Sequence, residues 1–145
     1  MAKHAQKRRP LSRVLTLVVL AALIALFLRW SNTSLQTTYF DSVFTALPEG
    51  FDGCRIAVLG DLHSTDFGKG NSRLLKAVRE AEPDYIFLVG DLLDAYRDIP
   101  ENYIFQTAGG LAAIAPTYYV TGNHEWADGG VPELKDTLTA NGVTV

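Results

Sequence analysis

Polar side chains that could bind a metal ion stand at three places in this sequence, each directly after a run of strand-forming residues. The runs cover residues 55–60, 85–89 and 118–121. The polar residues that follow them are Asp61, His63, Asp91, Asn123 and His124. Ligands of parallel sheets collect at the carboxyl ends of the strands, so we expect these side chains to converge at one rim. Oxygen and imidazole ligands together suit a divalent metal ion.

The elements that must position these side chains alternate between strands and helices. Predicted strands cover residues 37–45, 55–60, 85–89, 118–121 and 143–145, and predicted helices cover about 72–81, 101–114 and 132–141. This alternation predicts an α/β fold with parallel strands. The apolar runs are typical of a sheet that is buried on both faces. Because a sheet rarely ends in mid-strand, we expect the carboxyl-terminal part of the domain to be missing from the chain.

The amino-terminal segment has the composition of a membrane anchor. Residues 14–28 are apolar except for Thr16, and five basic residues precede this run whereas one follows it. We expect a basic cytoplasmic tail at 1–13, a transmembrane signal anchor at 14–30, a linker at 31–36 and a domain at 37–145. The positive-inside rule places that domain outside the cytoplasm, on a single-pass protein of the plasma membrane. A cleaved signal peptide and a buried core helix remain alternatives.

The charge of the chain is distributed unevenly. Seven of the 13 basic residues and all 16 acidic residues lie beyond position 30, which gives that part a formal charge of −9. An acidic domain is a poor match for the phosphate backbone, so we expect no nucleic-acid partner. Cys54 is the single cysteine, so the chain cannot form an internal disulfide.

In order and spacing, three motifs resemble the signature of the calcineurin-like metallophosphoesterase family. They are Asp61-Leu62-His63, Gly90-Asp91-Leu92-Leu93-Asp94 and Gly122-Asn123-His124-Glu125. With the anchor, the chain looks like the amino-terminal portion of the membrane-anchored bacterial phosphodiesterase branch. The resemblance covers about residues 37–145. It implies the amino-terminal half of a four-layer α-β-β-α sandwich, preceded here by a transmembrane helix.

The same resemblance implies a site with two divalent ions, which could be manganese, iron or zinc. The implied metal ligands are Asp61, His63, Asp91 and Asn123, with Asp91 bridging the two ions. His124 is then the catalytic residue beside the substrate phosphate, and Asp94 orients it. The implied reaction is hydrolysis of a phosphodiester or pyrophosphate by a metal-activated hydroxide. Lipid-linked pyrophosphates are one substrate class that the branch suggests by analogy.

Two departures from the family pattern keep alternatives open. The family has further histidine ligands later in the chain, whereas this sequence contains only His4, His63 and His124. We therefore expect weak metal binding and little or no turnover from the chain as given, and a non-catalytic membrane-anchored binding module is the alternative function. Ala95-Tyr96 stands where the serine/threonine phosphatases have Arg-Gly, which argues against a protein phosphatase. A nucleotide-binding domain is disfavoured because no Gly-x-Gly-x-x-Gly follows the first apolar run.

Overall fold

The computed structural model describes residues 9–96, 98–99 and 102–145. These residues form two compact units, of which one ends at Ser34 and the other comprises Leu35–Val145. Most of the predicted basic tail, residues 1–8, lies outside the described residues, as does position 101, where the second helix was expected to begin.

The first unit contains one long helix, α1 (Arg9–Thr33). Within it, the 23 residues Leu11–Thr33 are long and apolar enough to cross a membrane. At about 1.5 Å per residue this stretch spans about 34 Å, against a hydrocarbon core of about 30 Å. The hydroxyl of Thr16 donates to the carbonyl of Ser12 at 2.9 Å, which satisfies this polar group within the helix. The helix extends beyond both ends of the anchor predicted at 14–30.

The second unit is built on one parallel sheet with the strand order β1-β2-β3-β4. Its strands are β1 (Ile56–Leu59), β2 (Tyr85–Val89), β3 (Thr117–Val120) and β4 (Val143–Thr144). Leu59 is paired with Leu88, and Val89 with Val120. The carboxyl ends of the first three strands therefore lie at one edge of the sheet. The predicted α/β fold is confirmed.

Helices connect successive strands and cover one face of the sheet. They are α2 (Ser72–Glu80), α3 (Tyr103–Ala112), α4 (Asn123–Asp128) and α5 (Val131–Ala140), with 3-10 turns at Glu49–Phe51 and Lys69–Asn71. The core joins Ile86 and Leu88 of the sheet to Leu111 of α3 and Leu138 of α5, all of them buried. Three of the four helices agree with the predicted ones. The short helix α4 was not expected.

The expectation that the sheet is buried on both faces is wrong for the part of the chain that the structure describes. The core residues of α2, α3 and α5 all pack on one face, so alternate strand residues point away from them. On that second face, Val58 is 63% exposed and Val120 is 60% exposed. The described chain thus supplies one sheet and one layer of helices, which are two of the four layers that the resemblance implies.

The strand predicted over residues 37–45 does not form. Tyr39, Phe40 and Val43 in this segment are strongly exposed. Aromatic and β-branched residues favour a strand, but a strand is stable only when another strand pairs with it. Among the described residues, β1 pairs with β2 and has no strand on its other edge.

Candidate metal centre

The loop that follows β1 is bound along its backbone to the loop that follows β2. The amide of Asp61 donates to the carbonyl of Gly90 at 3.3 Å, and the amide of His63 donates to the carbonyl of Asp91 at 2.9 Å. The amide of Ser64 continues the series by donating to the carbonyl of Leu92 at 3.0 Å. These bonds extend the backbone pairing of β1 and β2 past the ends of the two strands. They bring the first two motifs together.

Four residues of these two loops adopt the left-handed backbone conformation. Their φ angles are 53° for Asp61, 44° for His63, 53° for Ser64 and 49° for Asp91. This conformation is uncommon for residues other than glycine and costs about 1–3 kcal/mol where it is unfavourable. It persists only where neighbouring contacts impose it, and such residues cluster at functional sites. The loops are therefore constrained in a way that fixes the direction of their side chains.

Close packing of the second and third motifs requires glycine at two positions. A Cβ atom on Gly90 would lie 2.7 Å from the Cα of Gly122, and Gly90 has a φ of 89°. A Cβ atom on Gly122 would lie 2.5 Å from the backbone nitrogen of Asp91. The absence of these two side chains lets the loops after β2 and β3 touch through their backbones.

Asp61, His63 and Asp91 form a first group of possible metal ligands, called here the Asp61 group. One side-chain ligand atom from each lies within 4.8 Å of the others. The His63 Nε2 atom is 3.7 Å from the Asp61 Oδ1 atom, and the Asp61 side chain is 83% exposed. Two carboxylates and one imidazole in an open position are a suitable donor set for a divalent cation.

His63, Asp94 and His124 form a second group, called here the His124 group. Their ligand atoms also lie within 4.8 Å of one another. The two imidazole rings meet edge to face with their centroids 4.4 Å apart, and the His124 Nδ1 atom is 3.6 Å from the Asp94 Oδ1 atom. The side chains of His124 and Asp94 are both largely buried. His63 belongs to both groups, so the groups form one continuous site.

One ring nitrogen of His124, Nδ1, is hydrogen-bonded to the backbone. The backbone amide of Ala95 donates to the Nδ1 atom at 3.3 Å, and the backbone amide of His124 donates to the Asp91 Oδ1 atom at 2.9 Å. When Nδ1 accepts a hydrogen bond, the neutral ring carries its proton on Nε2. Asp94 is itself held by the loop after β1, because its amide donates to the Ser64 hydroxyl at 3.1 Å. The bond from Ala95 thus leaves Nε2 as the ring atom that can donate a hydrogen bond.

Asn123 is the first residue of α4, and its side chain is exposed. Its side chain makes no hydrogen bond to any residue that the structure describes. It lies next to His124 in sequence but belongs to neither group of possible ligands, because those groups consist of acidic and histidine side chains.

Glu125 lies within this site, and no role for it was predicted from the sequence. It is only 2% exposed, and its carboxylate accepts three backbone amides. The Oε2 atom accepts from Asp91 at 3.0 Å and from Gly122 at 2.7 Å, and the Oε1 atom accepts from Leu93 at 2.9 Å. The signal that could have revealed it is the glutamate three residues after the residue that caps α4, which is the spacing of a capping box.

Tyr119 lies behind the site on β3. Its hydroxyl is buried. Burial, reinforced by the neighbouring charges of Glu125 and Asp91, raises the pKa of the Tyr119 hydroxyl above its ordinary value. The hydroxyl therefore stays protonated and adds no charge to an already acidic site.

Comparison with known proteins gives one family. Residues 54–143 match the family described as calcineurin-like phosphoesterase. The chain is 27% identical over 118 residues to the uncharacterized metallophosphoesterase YkuE of Bacillus subtilis. It is 30% identical over 126 residues to the uncharacterized metallophosphoesterase Cj0846 of Campylobacter jejuni. It is 29% identical over 102 residues to a transmembrane protein with metallophosphoesterase domain of Danio rerio.

The chain spans less than half the length of these relatives. The alignments cover 77%, 86% and 67% of this chain but only 40%, 33% and 22% of the Bacillus, Campylobacter and Danio proteins. No solved structure gave a significant match.

Proposed function

Because the chain belongs to the calcineurin-like phosphoesterase family, we propose that it takes part in the hydrolysis of phosphoester bonds by water that two divalent metal ions activate. The observation that carries this proposal is the convergence of Asp61, His63 and Asp91 at the carboxyl ends of β1 and β2. Ligands bind at this edge in open α/β sheets.

The residues present fit a divalent cation on chemical grounds. Asp61 and Asp91 place two carboxylates near one another, and no lysine or arginine of the described chain forms an ion pair with either. Like charges at this separation repel each other, and a bound cation removes the repulsion. Asp61 and His63 would hold one ion and Asp91 would bridge to the second, for which Asn123 would supply a neutral oxygen. When bound, the ions supply charge that activates water and neutralises the phosphate.

His124 is the group that we assign to the leaving oxygen. Its Nε2 atom carries the hydrogen when Nδ1 accepts the Ala95 amide, so Nε2 can donate a hydrogen bond that stabilises charge on the departing oxygen. Asp94 Oδ1, 3.6 Å from Nδ1, lies beside the ring and limits its rotation. The buried position of this pair supports a fixed orientation of the imidazole.

The substrate that we propose is a phosphodiester or pyrophosphate, and lipid-linked pyrophosphates are the class that a membrane anchor makes accessible. The helix α1 supports a membrane tether, and proteins from Danio rerio and Bos taurus with the same domain are named transmembrane proteins. The basic residues before the apolar segment favour a cytoplasmic amino terminus at the plasma membrane, with the domain on the opposite side.

The test uses the complete product of the gene that encodes these 145 residues. We expect Asp91→Asn and His124→Ala each to lower its activity on bis(p-nitrophenyl) phosphate by more than about 100-fold. Asp136→Asn is the matched control, because Asp136 is exposed on α5 and belongs to none of the three motifs. Near-wild-type turnover in either of the first two variants removes that residue from the mechanism.

Chelation and metal replacement separate this reaction from other chemistry. We expect a chelator to abolish hydrolysis and added Mn²⁺ to restore it, whereas hydrolysis that resists the chelator would indicate a route without metal ions. A complete product that binds Mn²⁺ but hydrolyses no phosphoester would favour the membrane-anchored binding module. The 145-residue chain alone is expected to bind Mn²⁺ weakly and to turn over little or no substrate.

Membrane orientation has its own test. A reporter enzyme that is active only outside the cytoplasm, fused after Val145, should be active in whole cells. A reporter that is active only in the cytoplasm, fused at the same position, should be silent. The opposite pair of results would reverse the proposed localisation.

A further inference from the structure

Glu125 connects the loop after β2 to the loop after β3. Its Oε2 atom accepts amides from both loops, that of Asp91 at 3.0 Å and that of Gly122 at 2.7 Å. Its Oε1 atom accepts the amide of Leu93 at 2.9 Å. One side chain therefore fixes the position of the second motif's backbone relative to the backbone of the third motif.

The chemistry of this contact requires a carboxylate. Three amide donors converge on two oxygens, and an ionised carboxylate offers only acceptors. Glu125 is buried, and no lysine or arginine of the described residues forms an ion pair with it. A buried charge without such partners is costly unless hydrogen bonds satisfy it. The three amides supply those bonds, so the contact is strong and directional.

The position of the contact explains the unusual conformation of Asp91. Asp91 has a φ of 49°, and its backbone is held on both sides. Its amide donates to Glu125, while its carbonyl accepts the amide of His63. Its carboxylate oxygen Oδ1 in turn accepts the amide of His124, the residue before Glu125. Releasing the amide would let Asp91 relax toward a commoner conformation and turn its carboxylate away from Asp61.

We propose that Glu125 is a positioning residue, whose carboxylate holds Asp91 in its left-handed conformation and thereby sets the geometry of the Asp61 group for a divalent cation. The role rests on the proposed function only in that the Asp61 group must bind a metal ion. Glu125 itself does not contact substrate. Residues that orient metal ligands in this way typically affect metal affinity by about 10- to 100-fold.

The test compares Glu125→Gln with Glu133→Gln in the complete gene product, prepared without metal ions. Glutamine has the shape of glutamate but presents an NH₂ donor to one of the three amides. Glu133 is exposed on α5 and is the matched control. For Glu125→Gln we expect Mn²⁺ affinity measured by titration calorimetry to fall about tenfold or more. We expect no change for Glu133→Gln.

Amide hydrogen exchange provides a readout that does not depend on activity. In the metal-free wild type, the amides of Asp91, Leu93 and Gly122 should be protected. In Glu125→Gln, one or more of them should exchange about tenfold faster or more, while the amide of Leu88 in the core strand β2 should be unchanged. Fast exchange of all three amides in the wild type would overturn the proposal, even if the variant failed to fold.

The outcomes distinguish this inference from the proposed function. If Glu125→Gln weakens Mn²⁺ binding but the wild type hydrolyses no phosphoester, the positioning role stands and the enzymatic function fails. If the wild type is active and Glu125→Gln retains both its Mn²⁺ affinity and its kcat, the positioning role is refuted and the enzymatic function stands.

Discussion

Replacing Gly122 by alanine should disrupt the centre through a single added methyl group. The backbone of Gly122 is extended, with φ −98° and ψ −174°, so alanine is allowed there on conformational grounds. The added Cβ atom would nevertheless lie 2.5 Å from the Asp91 nitrogen and closer still to its Oδ1 atom. Ordinary contact begins at 3.4 Å, so Asp91 must move by about 0.9 Å. Its amide cannot move freely, because Glu125 holds it.

The size of this effect follows from the overlap. Overpacking of this kind costs about 1–3 kcal/mol, and loss of the Asp91 hydrogen bond adds about 1 kcal/mol, so we expect the free energy of unfolding to fall by about 2–4 kcal/mol. A displacement of about 1 Å at a reacting centre lowers activity by about 100-fold. Gly50→Ala is the matched control, because nothing lies within 4 Å of its Cβ position and its φ is not positive.

Urea unfolding and hydrolysis of bis(p-nitrophenyl) phosphate, both on the complete gene product, provide the assays. Gly50→Ala should stay within about 0.5 kcal/mol of the wild type. If Gly122→Ala matched Gly50→Ala in both stability and activity, the close packing of the second and third motifs would be refuted.

Three further predictions concern stability. Mn²⁺ at 100 times its dissociation constant should raise the free energy of unfolding by about 2.7 kcal/mol, and a chelator should reverse the gain; an unchanged unfolding curve would contradict metal binding. Burial raises the pKa of Tyr103 to about 12, so the folded state should lose stability as pH rises from about 10 to 12. Urea unfolding at several pH values measures this loss, and Tyr103→Phe should reduce it by about 2–3 kcal/mol. If the variant had the same pH dependence as the wild type, the raised pKa of Tyr103 would be refuted. Asn71→Ala should lower the free energy of unfolding by about 2–3 kcal/mol. The reason is that the buried Asn71 carboxamide accepts the Phe67 amide at 2.8 Å and donates to the Thr107 hydroxyl at 2.6 Å. A loss below about 0.5 kcal/mol would show that these bonds contribute little.

The parallel sheet was predictable from the sequence because its strands are continuous apolar runs with turn signals between them. Parallel strands also end at the same edge, which is why the meeting of Asp61, His63 and Asp91 could be expected without a structure. The helix α2 was predictable for a similar reason, since Leu74 and Val78 recur at helical spacing and both are buried.

Other features depend on contacts between distant parts of the chain. Helix α4 has six residues, which is too short for a periodic pattern to identify. Residues 37–45 have strand composition, yet composition cannot say whether a partner strand is present. The apolar character of Val58 and Val120 indicated burial on both faces, but the sequence cannot tell which residues cover a face.

The role of Glu125 was hidden for a related reason. The capping-box spacing marks its bond to Gly122, which is local, but its bonds to Asp91 and Leu93 join residues more than 30 positions apart. Only the packing of the loop after β2 against α4 brings those amides within reach of the carboxylate.

Anomalous diffraction from crystals of the complete gene product grown with Mn²⁺ tests the central claim most directly. We predict a manganese peak within about 2.5 Å of side-chain ligand atoms of Asp61, His63 and Asp91. An anomalous difference map that has no peak at this edge of the sheet would contradict the metal centre and the function proposed from it. This holds whether the crystals contain manganese elsewhere or not at all.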